Sequence, residues 1–249
     1  MSKTKKENYK EVDIDNFVIP EDHILIASID PGKVNFCFCI EMINLKNIQK
    51  IKNISKLKRF NGDSPTDEYN KILSQIYLSG KTIIVKNLNL TEGANKDKYI
   101  DPRVFINLTD ELDKYQKYFD KCSYIIIEQQ MSFGKKKNNT LALKIAQHAF
   151  SYFTFLYRDF KMIMEFPAFH KTKILGAPGK MDKPARKKWA VEKAQEIWIE
   201  REDWNTASYV QSAKKKDDLS DVICQCNAFV YLNWIEKVFE NPVIKKKAK

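Results

Sequence analysis

Two short apolar runs that each end in an acid constrain the fold of this chain more than any other feature. HILIASID (23–30) ends in Asp30 just before a Pro-Gly pair, and YIIIEQQ (124–130) carries Glu128 after four apolar residues. Runs of this length, bounded by turn residues, predict buried strands. A carboxylate is almost never fully buried without a partner, so acids at strand ends either face solvent or belong to a site.

Strand-like and helix-like patterns alternate along the rest of the chain, and no internal repeat is visible. Strands are predicted at 23–30, 35–43, 48–60, 124–130 and 161–167, and helices at 101–123, 138–157, 184–199 and within 214–235. A Gly/Pro/Lys-rich loop is predicted at 170–184. This order predicts an α/β fold with a mixed sheet flanked by helices.

The stretch 61–100 is ambiguous. Ile72, Ile76 and Tyr77 indicate a short helix, TIIVKNLNL (82–90) indicates a strand, and TEGANKDKY (91–99) is typical of a mobile loop. The predicted organisation is therefore a flexible arm at 1–22, one domain at 23–240 and a basic tail at 241–249.

Three aspartates precede the last helix, in KKKDDLSDVICQ. Asp218 and Asp221 are three residues apart, so a helix places both on one face. Acids in a first helical turn also serve as caps and suit the helix dipole, which needs no further function. Asp217 is either such a cap or a neighbour of a metal site. Both interpretations of the pair stay open on spacing alone.

The charge of the chain favours nucleic acid as a partner. The net charge is +11 and the pI about 9.2, and such a balance favours phosphate binding through counterion release. The basic ends explain part of the charge, but four clusters are internal: GKKK at 134–137, HKTK at 170–173, KMDKPARKK at 180–188 and KKK at 214–216. Candidate contacts in them include Lys135, Lys136 and Arg186.

Other classes of protein are disfavoured by what the sequence lacks. No run of about 18 apolar residues is present, and the N-terminal stretch has no apolar core typical of a signal peptide. Five cysteines without a CxxC pair predict reduced, buried thiols. We expect the protein to be cytoplasmic, and a viral replication site is one location within the cytoplasm. Nuclear and mitochondrial localisation stay open.

Acids at two strand ends and one helix face predict a metal site if they converge. Several carboxylates without cysteine suit a hard divalent cation, Mg²⁺ or Mn²⁺. In a basic protein the expected substrate is a phosphodiester, and two ions about 4 Å apart can activate water and stabilise the leaving oxygen.

These motifs together resemble the RuvC-like Holliday junction resolvases, especially those of poxviruses and other large DNA viruses. The resemblance covers residues 23–235 and rests on SIDPG, IIIEQQ, NNTLALKIAQ, KTKILGAPGKMDKPARKKWAV and KKDDLSDVICQ, in that order. It implies a ribonuclease H-like fold with a five-stranded mixed sheet. It also implies an Mg²⁺-dependent endonuclease that resolves four-way DNA junctions by paired symmetric nicks.

The resemblance also assigns roles to individual residues. The catalytic and metal-binding acids it implies are Asp30, Glu128, Asp218 and Asp221. Lys171 matches the DNA-contacting lysine of the family, with Lys173 as the alternative, and Lys183 matches a second basic position.

A homodimer is expected because a four-way junction has two-fold symmetry and needs two nicks. The helix at 141–157 carries more aromatic residues than one buried stripe requires, and the resemblance points to the same helix as the dimer contact. The candidate interface residues are Ala146, Ala149, Phe150 and Phe153. The alternative is that these side chains all pack inward on the sheet.

Three other functions agree less well with the sequence. A sugar kinase or actin-like ATPase also has a DPG turn after a strand, but it needs a second Gly-rich phosphate loop, and the chain has only seven glycines. A non-catalytic basic DNA-binding protein would have no use for four acids that weaken phosphate binding. A ribonuclease H or transposase-like nuclease would share the acids, whereas the NNTLALKIAQ helix favours a resolvase.

Overall fold

A computed structural model describes residues 9–95, 101–130 and 140–239 of the chain. The strands are β1 (His23–Asp30), β2 (Phe36–Asn44), β3 (Phe60–Asn61), β4 (Ser64–Pro65), β5 (Gly80–Leu88), β6 (Cys122–Gln129) and β7 (Met162–Pro167). The helices are α1 (Leu45–Ile48), α2 (Asp67–Leu78), α3 (Pro102–Lys114), α4 (Gln116–Asp120), α5 (Thr140–Tyr157), α6 (Phe169–Ile174), α7 (Lys183–Glu200), α8 (Trp204–Ser212) and α9 (Lys216–Val230). A π-helical turn, Tyr231–Ile235, continues α9.

Five strands form one mixed sheet in the order β5-β2-β1-β6-β7. β5, β2 and β1 are antiparallel neighbours, while β1, β6 and β7 run parallel. Helices cover both faces, so the fold class predicted from the sequence is confirmed. β3 and β4 pair separately as a small hairpin outside the main sheet.

The two faces of the sheet bury different side chains because successive residues of a strand point in opposite directions. Ile26 and Ile126 face the cluster built by α2, α7 and α9. Ile29 and Ile127, on the same strands, face the cluster built by α3, α4 and α5. Helix α9 is buried almost all round beyond its first turn, because it lies between the sheet and α6, α7 and α8.

The strand predicted at 48–60 is wrong. The Asn44 side chain accepts a hydrogen bond from the Asn47 backbone N–H (3.0 Å) and caps α1 directly after β2. Beyond α1 the chain reaches a 3₁₀ turn, Lys56–Lys58, where Arg59 pairs with Glu236. The strand that lies beside β2 is instead β5, from the stretch that sequence patterns left ambiguous; the residues 96–100 that follow it lie outside the described residues.

Besides α1, two helices were not predicted. Helix α6 lies within the segment expected to be a loop, and α8 follows α7 after a short turn. Helix α8 begins where the Asp203 side chain accepts a hydrogen bond from the Thr206 backbone N–H (3.1 Å). Both helices are short, and short helices depend on tertiary packing more than on their own sequence.

Residues 9–22, expected as part of a flexible arm, pack against the domain. Ile14 is buried, and the Tyr9 ring stacks on Tyr209 with the ring centroids 4.4 Å apart. The Tyr9 hydroxyl accepts a hydrogen bond from the Val85 backbone N–H (3.0 Å) at the edge of the sheet. Apolar side chains and a free edge N–H thus hold this segment in place. The tail at 241–249 lies outside the described residues.

Helix α5 packs its candidate interface residues inward. Ala146, Ala149 and Phe153 are buried in the core between α5, α3 and the sheet, and Phe150 is half-buried against the same cluster. The first three are therefore not available to a second subunit, which corrects the interface expected from the sequence. The aromatic residue that α5 leaves exposed is Phe155, with 76% of its surface accessible.

All five cysteines are buried and free, as predicted. Burial raises the pKa of Cys122 and Cys224 and keeps both as neutral thiols. Among the described residues, no helix combines the length and apolar character that crossing a membrane requires.

Candidate active site

Asp30 and Glu128 lie side by side at one end of the sheet. β1 and β6 are parallel neighbours in which Ile29 pairs with Ile127, so the next residues on the two strands are Asp30 and Glu128. Alternation places both acids on the face covered by α9. The two apolar runs identified in the sequence therefore deliver their acids to one place.

Helix α9 brings the aspartate pair to the same place, and Gln225 holds it there. Gln225 lies one helical turn after Asp221 and is 1% exposed. Its side-chain amide donates to the Ser28 hydroxyl (3.1 Å) and to the backbone carbonyls of Ile29 (3.2 Å) and Ile126 (3.5 Å). One side chain thus sets the position of α9 against both strands that carry the other acids.

Lys171 lies among these acids. It is only 6% exposed, and its ammonium donates to Glu128 (2.5 Å) and pairs with Asp221 (3.2 Å). Burial opposes the charged form of this lysine, but Asp221, Glu128 and Asp30 outweigh it and raise its pKa. Lys171 is therefore a buried cation that compensates the acids. The expected DNA-contacting residue would need a surface position, which Lys171 does not have.

Asp217 has a different partner from the other acids. It forms an ion pair with Lys187 of α7, whose ammonium also lies 3.7 Å from Asp218. Burial opposes ionisation of Asp217, but the hydrogen bond from Lys187 prevails and lowers its pKa. The same hydrogen bond raises the pKa of Lys187. Asp217 is thus an ionised anchor for Lys187, a role that the sequence left open.

The four acids carry more negative charge than Lys171 compensates. Burial raises the pKa of Asp30 well above its ordinary value, and Glu128, Asp221 and Asp218 add to the rise against the opposing effect of Lys171. Burial also raises the pKa of Asp218, with Asp217 and Asp221 contributing. Asp30 and Asp218 therefore resist ionisation, mainly because they are buried and in addition because their neighbours are acids.

The donor chemistry of the four acids fits a divalent cation. All are carboxylates, the ligands that Mg²⁺ and Mn²⁺ prefer, and a bound cation relieves the repulsion that raises the pKa of Asp30. In the described part of the chain, however, no three acids, histidines or cysteines form a ready-made metal-binding group. The ammonium of Lys171 is already paired with two of the acids.

The other predicted DNA contacts are divided between the surface and the undescribed residues. Lys173, Lys183 and Arg186 are exposed near α6 and the start of α7. Lys135 and Lys136 lie outside the described residues. The exposed three are available to a ligand.

Sequence patterns missed two residues of the site. Gln225 is a polar side chain in the apolar part of a helix, one turn after Asp221, and that position is a usable signal. Lys187 looks like one of several lysines at the start of α7, and nothing in the sequence distinguishes it. Only the packing of α7 on α9 brings it to Asp217.

The chain has relatives among viral proteins. It is 31% identical to uncharacterized protein 170L of Invertebrate iridescent virus 6 over 250 residues, covering 87% of this chain and 93% of that protein. It is 30% identical to uncharacterized protein 97L of Invertebrate iridescent virus 3 over 215 residues, covering 82% of this chain and 98% of that protein. No protein-family profile matches the chain.

The structure is similar to that of the yeast mitochondrial Holliday junction resolvase Ydc2. The TM-score is 0.51 at 14% sequence identity, with 91% of this chain and 88% of Ydc2 covered. The resemblance to RuvC-like resolvases noted in the sequence is thus confirmed at the level of the fold. The chain belongs to the same family as the iridescent virus proteins 170L and 97L, and it has the fold of the RuvC-like Holliday junction resolvases.

Proposed function

We propose that the chain is a divalent-metal-dependent DNA endonuclease that resolves four-way junctions. The observation that carries the proposal is the meeting of Asp30, Glu128, Asp218 and Asp221 at one end of a resolvase-like sheet. Exposed cations at Lys173, Lys183 and Arg186 beside this site are suited to DNA phosphates.

The residues of the chain divide the work between them. The four acids would hold Mg²⁺, which supplies Lewis acidity at the phosphate and lowers the pKa of an attacking water. Lys171 orients Glu128 and Asp221 and limits their repulsion. Lys187, anchored on Asp217, adds a partly exposed positive charge near Asp218, where a phosphate can approach.

The substrate class is tested by side-by-side cleavage. Labelled four-way junction, linear duplex and RNA–DNA hybrid of matched sequence are incubated with the full chain, with Mg²⁺ or with EDTA. We expect Mg²⁺-dependent cleavage of the junction as two symmetric nicks, and little cleavage of the duplex. Preferential cutting of the hybrid would make the chain a ribonuclease H, and junction binding without any cleavage would make it a DNA-binding protein.

Gln225→Leu is expected to impair catalysis more than folding. Leucine fills a similar volume but cannot hold α9 to β1 and β6, so the acids on the strands and on the helix lose their common register. Loss of a group that orients metal ligands costs about 10–100-fold in metal affinity or activity. We expect a fall of this size in single-turnover cleavage and a higher Mg²⁺ concentration at half-maximal rate, with unchanged junction binding.

Asn227→Leu is the matched control. Asn227 is a buried amide on the same helix, but it contacts Arg201 (3.1 Å), the Ile223 carbonyl (2.9 Å) and Glu41 (3.5 Å), and none of the four acids of the site. Its loss should lower thermal stability without shifting the Mg²⁺ dependence. If the Mg²⁺ concentration at half-maximal rate rises equally in both variants, Gln225 has only the role of a core residue.

A homodimer remains part of the proposal, because paired nicks need two active sites related by the axis of the junction. Since the inner face of α5 is buried, we expect a second subunit to meet the outer face, where Phe155 is the most exposed large apolar side chain of this helix. We expect Phe155→Asp to sediment as a monomer that binds junctions but makes unpaired nicks. Val18→Asp, at an equally exposed position, should stay dimeric; a monomeric wild type on junction DNA would contradict the proposal.

A further inference from the structure

A second concave surface lies beside the acids, on the other side of α6. It encloses about 610 Å³, and its lining includes two aromatic and three basic side chains: Phe60, Phe169, Lys173, Lys180 and Arg186. We call it the aromatic–basic cleft. A volume of this size is in the range of sites that bind drug-sized organic molecules, and a nucleotide is such a molecule.

The cleft is built by two segments in close contact. The β3–β4 hairpin forms one wall, and α6 with the loop after it and Arg186 of α7 forms the other. Gly176 has φ +79°, and a Cβ there would lie 2.3 Å from Pro65 Cγ of the hairpin, so only glycine allows this approach. Lys180, also in this loop, has φ +52°, which is uncommon for a residue with a side chain. Strained backbone of this kind concentrates at ligand-binding segments.

Helix α6 separates the cleft from the acids by its own thickness. Phe169, Thr172 and Lys173 line the cleft, and their spacing places them on one helix face. Lys171, from the opposite face, reaches Glu128 and Asp221. A helix is about 10 Å across with its side chains. A DNA strand whose phosphate is at the acids can therefore place a neighbouring nucleotide in the cleft.

The chemistry of the lining matches a nucleotide with an uncovered base. Phe169 contacts the His170 ring (centroids 4.2 Å apart) but is 58% exposed, so the uncovered part of its ring is available for stacking. None of Lys173, Lys180 and Arg186 forms an ion pair with a described residue, so all three are free to contact phosphates. Asp63 is the one acid in the lining and offsets a single cation.

We propose that the aromatic–basic cleft binds an unpaired nucleotide of the DNA strand that passes the acids, with its base stacked on Phe169. The placement beside a cleaved phosphate rests on the proposed function, but the binding itself does not. Stacking on an aromatic ring requires an unpaired base, because the faces of paired bases are covered by their neighbours in the duplex. The cleft thus gives the site a preference for DNA with unpaired nucleotides next to the position of cleavage.

Binding of short oligonucleotides tests the cleft without cleavage. Fluorescein-labelled dT8 and an abasic oligonucleotide of equal length are titrated with the full chain in EDTA, and anisotropy is recorded. We expect Phe169→Ala to weaken dT8 binding about tenfold, the effect of one stacked base, and to leave abasic binding unchanged. Joint replacement of Lys173 and Arg186 by glutamine should weaken both and flatten the salt dependence by roughly 0.7 per cation.

Trp204→Ala is the matched control, since Trp204 is an exposed aromatic residue (60% accessible) on α8 and does not line the cleft. It should bind both oligonucleotides like the wild type. Cross-linking of 5-iododeoxyuridine in dT8 should label peptides containing Phe169 or Phe60. Equal losses for both oligonucleotides in Phe169→Ala, no loss for dT8, or labelling confined to other peptides would overturn the proposal.

The same measurements separate this proposal from the function on which its placement rests. If the chain cuts no junction but binds dT8 in a way that depends on Phe169, the proposal for the cleft is supported and the proposed nuclease function is contradicted. If the chain cuts junctions but Phe169→Ala does not weaken dT8 binding, the nuclease function is supported and the proposal for the cleft is contradicted.

Discussion

Replacing any one of Asp30, Glu128, Asp218 or Asp221 by its amide is expected to reduce junction cleavage at least about a hundredfold, the scale seen when one group that stabilises transition-state charge is lost. An amide is nearly isosteric with the acid but contributes no charge to a bound cation. Junction affinity should hold or rise, because a negative charge near the phosphates is removed. Single-turnover rates at saturating enzyme, beside equilibrium binding in Ca²⁺, measure both effects.

Asp217→Asn is the control for this series, because Asp217 pairs with Lys187 rather than with Lys171. Its effect on cleavage should be clearly smaller than that of the four acids. If two or more of the four variants cut at the wild-type rate, or if Asp217→Asn is the most impaired, the site is misassigned.

The Asp30→Asn variant also has a stability signature that depends on pH. The folded pKa of Asp30 is raised, mainly by burial. Below the unfolded pKa of about 4, both states hold the proton and Asp30 costs nothing. As pH rises towards the folded pKa, only the unfolded state releases its proton, and stability is lost. In EDTA, Asp30→Asn should therefore be more stable than the wild type at pH 7, with the difference vanishing towards pH 4.

Lys171→Met should have the largest effect on stability. The ammonium is buried and compensates Glu128 and Asp221, which are themselves mostly covered. Removing one partner of a buried ion pair leaves uncompensated charge and typically costs about 3–5 kcal/mol. We expect the lower end of this range in EDTA, because Asp221 is partly exposed. Urea unfolding measures this loss. If the free energy of unfolding falls with urea concentration at the same slope in both proteins, the loss arises in the folded state.

Added Mg²⁺ should distinguish lost charge compensation from lost packing. A cation bound by the acids replaces the missing positive charge, so Mg²⁺ should raise the stability of Lys171→Met more than that of the wild type. Lys187→Met is the control, since its ion pair is more exposed and surface pairs contribute about 1 kcal/mol or less. Equal Mg²⁺ effects on Lys171→Met and the wild type would show that the ion does not replace the charge of Lys171, and no Mg²⁺ effect on either protein would show that the acids do not bind the ion.

Local patterns predicted the elements that carry the acids. β1, β6 and the start of α9 lie where apolar runs, turn residues and helical spacing placed them, because each pattern reflects burial on one face of a single element. The 48–60 segment shows the limit of this reasoning. Partial alternation exists there, but a strand also needs a neighbour, and β2 pairs with β5 instead.

The sequence by itself determined the class of fold, the five buried thiols and the acids that are candidates for catalysis, because periodicity and residue chemistry are local properties. Only the tertiary structure decided which partner each charge has. Lys171 and Lys173 differ by two positions, yet one is buried among the acids and the other lies in the aromatic–basic cleft. The sequence allowed an interface with a second subunit at Ala146, Ala149 and Phe153. The structure shows that α3 and the sheet cover these residues instead. The partner of a side chain depends on how elements distant in the sequence pack together. One segment specifies which of its own faces is apolar, but it does not specify which other element packs on that face.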